Sequence, residues 1–233
     1  MSKRLPLVLA LAVLVVPFRV ASHAASGVET PVEILPAACE TELALAAAPD
    51  HLRDGAGVWV LGEAGYRQIR DSSNGFECIV NRDHSRVLKP TCFDAAGAAT
   101  IVPKIVRVGQ WLLEGVGPEE LARRVAEGFA SGEFERPARA GVAYMLSNYN
   151  RPWYPQPGSP RSGTLGRFPP HVMFYAPDVT GADIGFDAEA FRKDRSLPMV
   201  AYQGPHGFLV MITGENHERR AGEVDDCPRW VWE

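Results

Sequence analysis

The sequence predicts an α+β protein: antiparallel sheet packed with a few helices. Short strand-like segments follow one another between residues 58 and 82, joined only by turn residues. Two amphipathic helical stretches follow between 103 and 132. There is no regular strand–helix alternation and no G-x-G-x-x-G after a strand, which argues against a doubly wound parallel sheet.

Glu40–Ala48 is rich in Ala and Leu and reads as a helix that Pro49 stops. Val58–Leu61 reads as a buried strand, Gly62–Gly65 as a turn and Tyr66–Arg70 as a second strand. Ser72-Ser73-Asn74-Gly75 carries a hairpin signal, because Asn-Gly accepts positive φ. With Phe76–Arg82 as the third strand, an antiparallel meander is expected.

Pro103 suits the first turn of a helix running to about Glu114. Pro118 begins the next helix, with Glu119 and Glu120 at its positive end. Glu119 with Arg123, and Glu120 with Arg124, stand at i,i+4, and Leu121, Val125 and Phe129 form the inner stripe. Gly132 ends this helix. The pair has the outline of a helix-turn-helix, but net charge and the signs of export favour packing against the sheet.

Val142–Leu146 reads as a strand. Residues 147–170 carry six prolines and read as a long irregular loop, with Trp153 and Tyr154 docking part of it. Val172–Ala176, Leu197–Tyr202 and Phe208–Thr213 complete the strands, the last two linked by Gln203–Gly207.

The chain has 233 residues, 46% hydrophobic and 22% charged, with a formal charge of −4. That balance is globular, and its sign disfavours a protein held to nucleic acid through phosphates. Ser2-Lys3-Arg4, the apolar stretch Leu5–Val16 and Ser22-His23-Ala24 have the layout of a secretory signal peptide cleaved after Ala24. The apolar stretch is too short to span a bilayer. Residues 25–233 are then expected as one α+β domain, periplasmic or extracellular, with no integral membrane segment. Losing Lys3, Arg4 and Arg19, and no acid, takes the charge to −7.

Cys39, Cys78, Cys92 and Cys227 allow three pairings. Pairing Cys78 with Cys92 closes a loop of about 15 residues, worth roughly 3 kcal/mol in the chain-entropy model. Cys39 and Cys227 lie near the two ends of the processed chain, which are often close in space. This combination is preferred in an oxidising compartment, with buried free thiols as the alternative. Neither C-x-x-C nor zinc-type spacing occurs.

Signals for catalysis are sparse. No G-x-S-x-G elbow is present, and Ser147, Ser159 and Ser162 read as hydrogen-bonding residues. His171 and His206 flank C-terminal strands and would converge at one sheet end if those strands pair in sequence. With the strand-end residues Asn148 and Arg82 they are the candidate catalytic set. Glu215 and His217 could extend the histidines into a metal site, but no H-E-x-x-H spacing supports one. Asp178, Asp183 and Asp187 lack calcium-loop spacing. No metal or cofactor is therefore expected. The aromatic residues Trp153, Tyr154 and Tyr175 are the candidate ligand contacts.

Ala44–Leu61, Ser73–Cys78, Pro90–Asp94 and Pro170–Pro177 resemble blocks in a group of uncharacterised exported bacterial proteins. The resemblance covers most of the processed chain in patches. It implies export, a single domain and pairing of Cys78 with Cys92, and it carries no activity over. The expected function is binding of a ligand or partner in the cell envelope. The alternatives are a hydrolase-like enzyme around His171 and His206, and a metal-binding protein.

Overall fold

The computed structural model describes residues 31–214 with Cys227, Pro228 and Val231; the expected signal peptide, Glu215 and His217 lie outside these residues. The described chain begins with helices α1 (Ala37–Leu45) and α2 (Asp50–Arg53), then strands β1 (Gly57–Gly62), β2 (Gly65–Arg70), β3 (Glu77–Asn81) and β4 (Lys89–Phe93). Helices α3 (Ala95–Leu113) and α4 (Pro118–Ser131) precede β5 (Val142–Met145), β6 (Trp153–Gln156), β7 (Ser159–Leu165) and β8 (His171–Tyr175). Helix α5 (Ala188–Lys193), β9 (Met199–Ala201) and β10 (Phe208–Ile212) follow. Eight strands form one sheet in the order β2-β1-β3-β4-β5-β8-β10-β9, and β6 and β7 form a separate hairpin. The fold is α+β.

The β1, β3 and β4 part of the sheet is covered on both faces, and the period of two in its strands decides what covers which. Val58, Val60, Cys78, Val80 and Cys92 point to α1, where they meet Cys39, Leu43 and Ala44. Leu61, Ile79, Phe93, Met145, Met173 and Phe208 point the other way, toward Ile101 and Ile105 of α3. Cys78 and Cys92 are directly opposed on β3 and β4 and form a disulfide. A second disulfide joins Cys39 on α1 to Cys227. Closing so long a loop is worth about 5 kcal/mol in the chain-entropy model.

On the α1 side, Glu40 and Arg82 form a fully buried ion pair. The guanidinium donates to both carboxylate oxygens, at 2.6 and 2.7 Å, and to the Val80 carbonyl at 3.1 Å. The Tyr66 hydroxyl caps the group 3.2 Å from Arg82 and donates to the same carbonyl. Burial by itself would lower the pKa of Arg82, but the Glu40 carboxylate raises it above its ordinary value, so the guanidinium stays charged. Tyr66 reaches this site across the face of α3 at Gly109, where a Cβ would come within 2.4 Å of its ring.

Three sequence expectations are corrected. The first three strands are not a meander: β3 pairs with β1 in parallel, and β2 is left at the sheet edge. The link 71–76 is tied to the Gly55 carbonyl by the Ser73 and Asn74 N–H groups, which takes the chain past the start of β1 to its other side. Burial explains the choice, because Cys78-Ile79-Val80 is fully buried and needs a central place, whereas Arg67, Gln68 and Ile69 are exposed.

Helix α3 begins eight residues before Pro103, capped by the Asp94 carboxylate, which accepts from the Ala96 and Gly97 N–H groups. Pro103 stands inside it, at the cost of one helical hydrogen bond. The 147–170 segment is largely ordered as the β6–β7 hairpin, anchored where Gly166 donates to the Pro152 carbonyl and Phe168 to that of Asn150.

Replacing Glu40 by Gln is expected to cost about 3 kcal/mol in urea unfolding, because it strands a buried guanidinium. Glu40→Leu with Arg82→Met should recover most of that loss. A cost under about 1 kcal/mol for Glu40→Gln would mean that the pair does not anchor the fold.

Candidate functional site

The face of the sheet turned toward α3 is not filled completely. A cavity of about 760 Å³ lies there, bounded by the sheet, α3, α4, the β6–β7 hairpin and the β9–β10 turn. This is within the range of small-molecule sites. Most of its wall is apolar: Ile101 and Ile105 from α3, Val125 and Phe129 from α4, Met173 and Phe208 from the sheet. One pole is polar, made by Asp83, Lys89, Lys104, Tyr202 and His206.

Strand register places the first of these. Lys89 opposes Asn81, and its side chain shares a face with Thr91 and Phe93. Its ammonium donates to Asp83 Oδ2 at 2.5 Å and to the Tyr202 hydroxyl at 2.8 Å, with the Tyr202 ring centroid 5.1 Å away. Tyr202 follows β9 at the sheet edge, four places from β4. The sheet is thus coiled strongly enough for the two to touch across the cavity. Tyr202 holds a left-handed backbone, φ 56°, a strained conformation for a tyrosine and one that recurs at functional positions. Burial opposes charge on Lys89, yet Asp83 raises its pKa above the ordinary range, and Lys89 in turn lowers that of Asp83.

Lys104, on α3, is different. It makes no hydrogen bond and no ion pair among the described residues. Burial lowers its pKa, and the nearby Lys89 lowers it further, to about 8, against a smaller opposing pull from Asp83. His206 stacks on Phe129 with ring centroids 5.1 Å apart, and its buried Nδ1 has no hydrogen-bond partner. Burial, then Lys104 and Lys89, bring it down to about 3, so its imidazole is neutral at pH 7. Once Asp83 balances Lys89, the pole retains one unpaired cation and one orphan imidazole nitrogen.

The residues singled out in the sequence fall in different places. His206 lines the cavity, whereas His171 does not: its Nδ1 lies 2.7 Å from the Pro169 carbonyl. His171 opposes Ile212 while Phe208, two residues after His206, opposes Tyr175. The two histidines therefore flank opposite ends of the β8–β10 pair, separated by roughly 13 Å of strand. The expected convergence does not occur, because the β9–β10 turn leaves β10 at the end away from His171.

Arg82 is committed to Glu40, and Asn148 lies in the turn after β5, outside the cavity wall. Trp153 lines the cavity and stacks on His84 at 4.2 Å, while Tyr154 on the same strand is exposed. Tyr175 is buried elsewhere, its hydroxyl 2.8 Å from Asp94 Oδ1 and 3.0 Å from the Val142 carbonyl.

Sequence reading missed Lys89, Lys104 and Tyr202, while Asp83 belongs to the polar run Asn81-Arg82-Asp83-His84 that the sequence shows at a strand end. One signal was present: the chain has 20 arginines but four lysines, and two of those lysines face this cavity.

Among the described residues, no group of three His, Cys, Asp or Glu side chains is arranged to hold a metal ion, and no helix is long and apolar enough to cross a membrane. Comparison with protein-family models, curated proteins and solved structures finds no match to this chain.

An amine whose folded pKa is depressed opposes folding most where it is charged, below about pH 8, and opposes it less as pH rises toward the unfolded value. Lys104→Met is therefore expected to stabilise the ligand-free protein at pH 7 by roughly 1 kcal/mol, with the gain shrinking toward pH 10. Thermal unfolding at the two pH values checks this; a loss at pH 7 would show that Lys104 has a stabilising partner.

Proposed function

We propose that this is an exported envelope protein that binds a small amphipathic molecule, an apolar chain carrying a carboxylate or similar anionic head. The observation that carries this reading is Lys104: a cation with no acceptor at the polar end of an otherwise apolar cavity. Leaving it so is unfavourable for the empty protein and favourable for an anion that arrives with its own apolar body. Lys89, held by Asp83 and Tyr202, adds positive potential without needing to move. Export is supported by the signal-peptide layout of residues 1–24 and by the two disulfides, which persist in oxidising compartments.

Of the three aromatic contacts expected from the sequence, Trp153 fits this role, since it forms part of the wall. Tyr154 and Tyr175 act elsewhere, one at the surface and one in a structural hydrogen bond to Asp94.

Calorimetric titration with straight-chain carboxylates tests the reading. Affinity should rise about fourfold per added methylene until the cavity is full, as burial of about 0.8 kcal/mol per CH₂ requires. It should weaken as pH rises through about 8, where Lys104 loses its charge in the free protein. Trp153→Ala should weaken decanoate binding several-fold and Tyr154→Ala should leave it unchanged. No binding of any carboxylate from six to fourteen carbons would sink the proposal.

A further inference from the structure

The polar pole contains more than a counter-ion needs. Lys104 has no acceptor, the ammonium of Lys89 adds its positive field, and the His206 imidazole lines the same space. We propose that Lys104 is an imine-forming amine, and that the cavity accepts an apolar aldehyde or ketone whose carbonyl carbon condenses with its Nζ. The proposal rests on the reading that the cavity admits an apolar small molecule, and it names the reactive group within it.

The arrangement supplies what this chemistry requires. The nucleophile must be a neutral amine, and a lysine becomes one near neutral pH when it is desolvated beside another fixed cation. Lys89 is that cation, and its hydrogen bonds to Asp83 and Tyr202 keep it charged and unreactive. The other titratable groups of the wall are His84, Arg136, whose charge is paired with Asp178, and His206. Arg82 also borders the cavity, but its guanidinium is bound to Glu40, and α4 contributes no charged residue to the wall.

In the first step the Lys104 lone pair forms the C–N bond, the carbonyl π pair moves to oxygen, and the nitrogen's proton passes to that oxygen. In the second the nitrogen's remaining proton passes to the carbinolamine oxygen, which leaves as water with the C–O bonding pair, and the nitrogen lone pair forms the C=N bond. Amine plus carbonyl becomes imine plus water, with no redox change. The neutral His206 imidazole, which lines the same cavity, is assigned the proton transfer between nitrogen and oxygen, and the apolar wall restricts the water that would reverse the reaction.

Lysine scarcity makes the test clean, since beyond residue 24 the chain has only Lys89, Lys104 and Lys193. Lys193 is exposed and paired with Glu189, and serves as the internal control. The purified protein is incubated with decanal and cyanoborohydride, and each lysine's alkylation rate is read by peptide mapping. Lys104 should react roughly tenfold or more faster than Lys193 at pH 8, because far more of it is neutral there. Its rate should fall severalfold at pH 6.5, and excess decanoate should protect it.

Decanal labelling of Lys104 no faster than Lys193, or preferential labelling of Lys89, overturns the proposal. If decanoate still binds in that case, the binding reading stands and only the imine chemistry fails. If decanoate also fails to bind, both fall. His206→Phe, whose ring keeps the stack on Phe129, should slow Lys104 labelling severalfold; an unchanged rate would remove His206 from the reaction.

Discussion

The Glu40–Arg82 pair is the interaction on which the rest of this architecture turns. Two charges are taken entirely out of water, and this is tolerable only because both carboxylate oxygens, the Val80 carbonyl and the Tyr66 hydroxyl surround the guanidinium. The geometry locks α1 onto the end of β3. Arg82 is also the residue next to Asp83, so the ion pair on one side of the sheet sets the backbone from which the Asp83 carboxylate reaches Lys89 on the other. The Cys39–Cys227 and Cys78–Cys92 disulfides reinforce the same region, one through α1 and one across β3 and β4.

The cavity follows from how the other face is covered. Helix α3 packs closely on β2, β3 and β4, helped by Gly109 beneath Tyr66. Helix α4 packs on α3 and reaches the β9–β10 turn through the Phe129–His206 stack. The β6–β7 hairpin approaches through Trp153, stacked on His84. A coiled sheet with rigid elements around its concave face leaves a space that its own side chains do not fill. Three departures from good local design border this space: a lysine without an acceptor, an imidazole nitrogen without a partner and a tyrosine with positive φ. Proteins carry such costs where binding or chemistry requires them, and the surrounding core offsets them.

Much was legible in the sequence where the signal was local. The α+β class, the strand at Val142, the strands near 172, 199 and 208, and the Pro118–Ser131 helix with its left-handed Gly132 cap all follow from periodicity and capping chemistry. The disulfide pairing preferred from loop length and chain ends is the one observed. Strand β4 was invisible, because Lys-Pro-Thr-Cys-Phe has neither alternation nor a β-branched run, and only burial between β3 and β5 makes it a strand. The hairpin within 147–170 was hidden by its prolines.

What the sequence determined by itself is what short-range physics controls: the Pro118–Ser131 helix between its proline start and its Gly132 cap, the tight turn at Gly62–Gly65, and the redox chemistry its cysteines invite. Which strand lies beside which was decided only in three dimensions, because parallel placement of β3 against β1 depends on burying Cys78-Ile79-Val80 on both faces. The candidate site is of that second kind. Lys89, Lys104 and Tyr202 are 15 and 98 residues apart in sequence. No local pattern links them, and they meet because a coiled sheet brings its edge back across a helix.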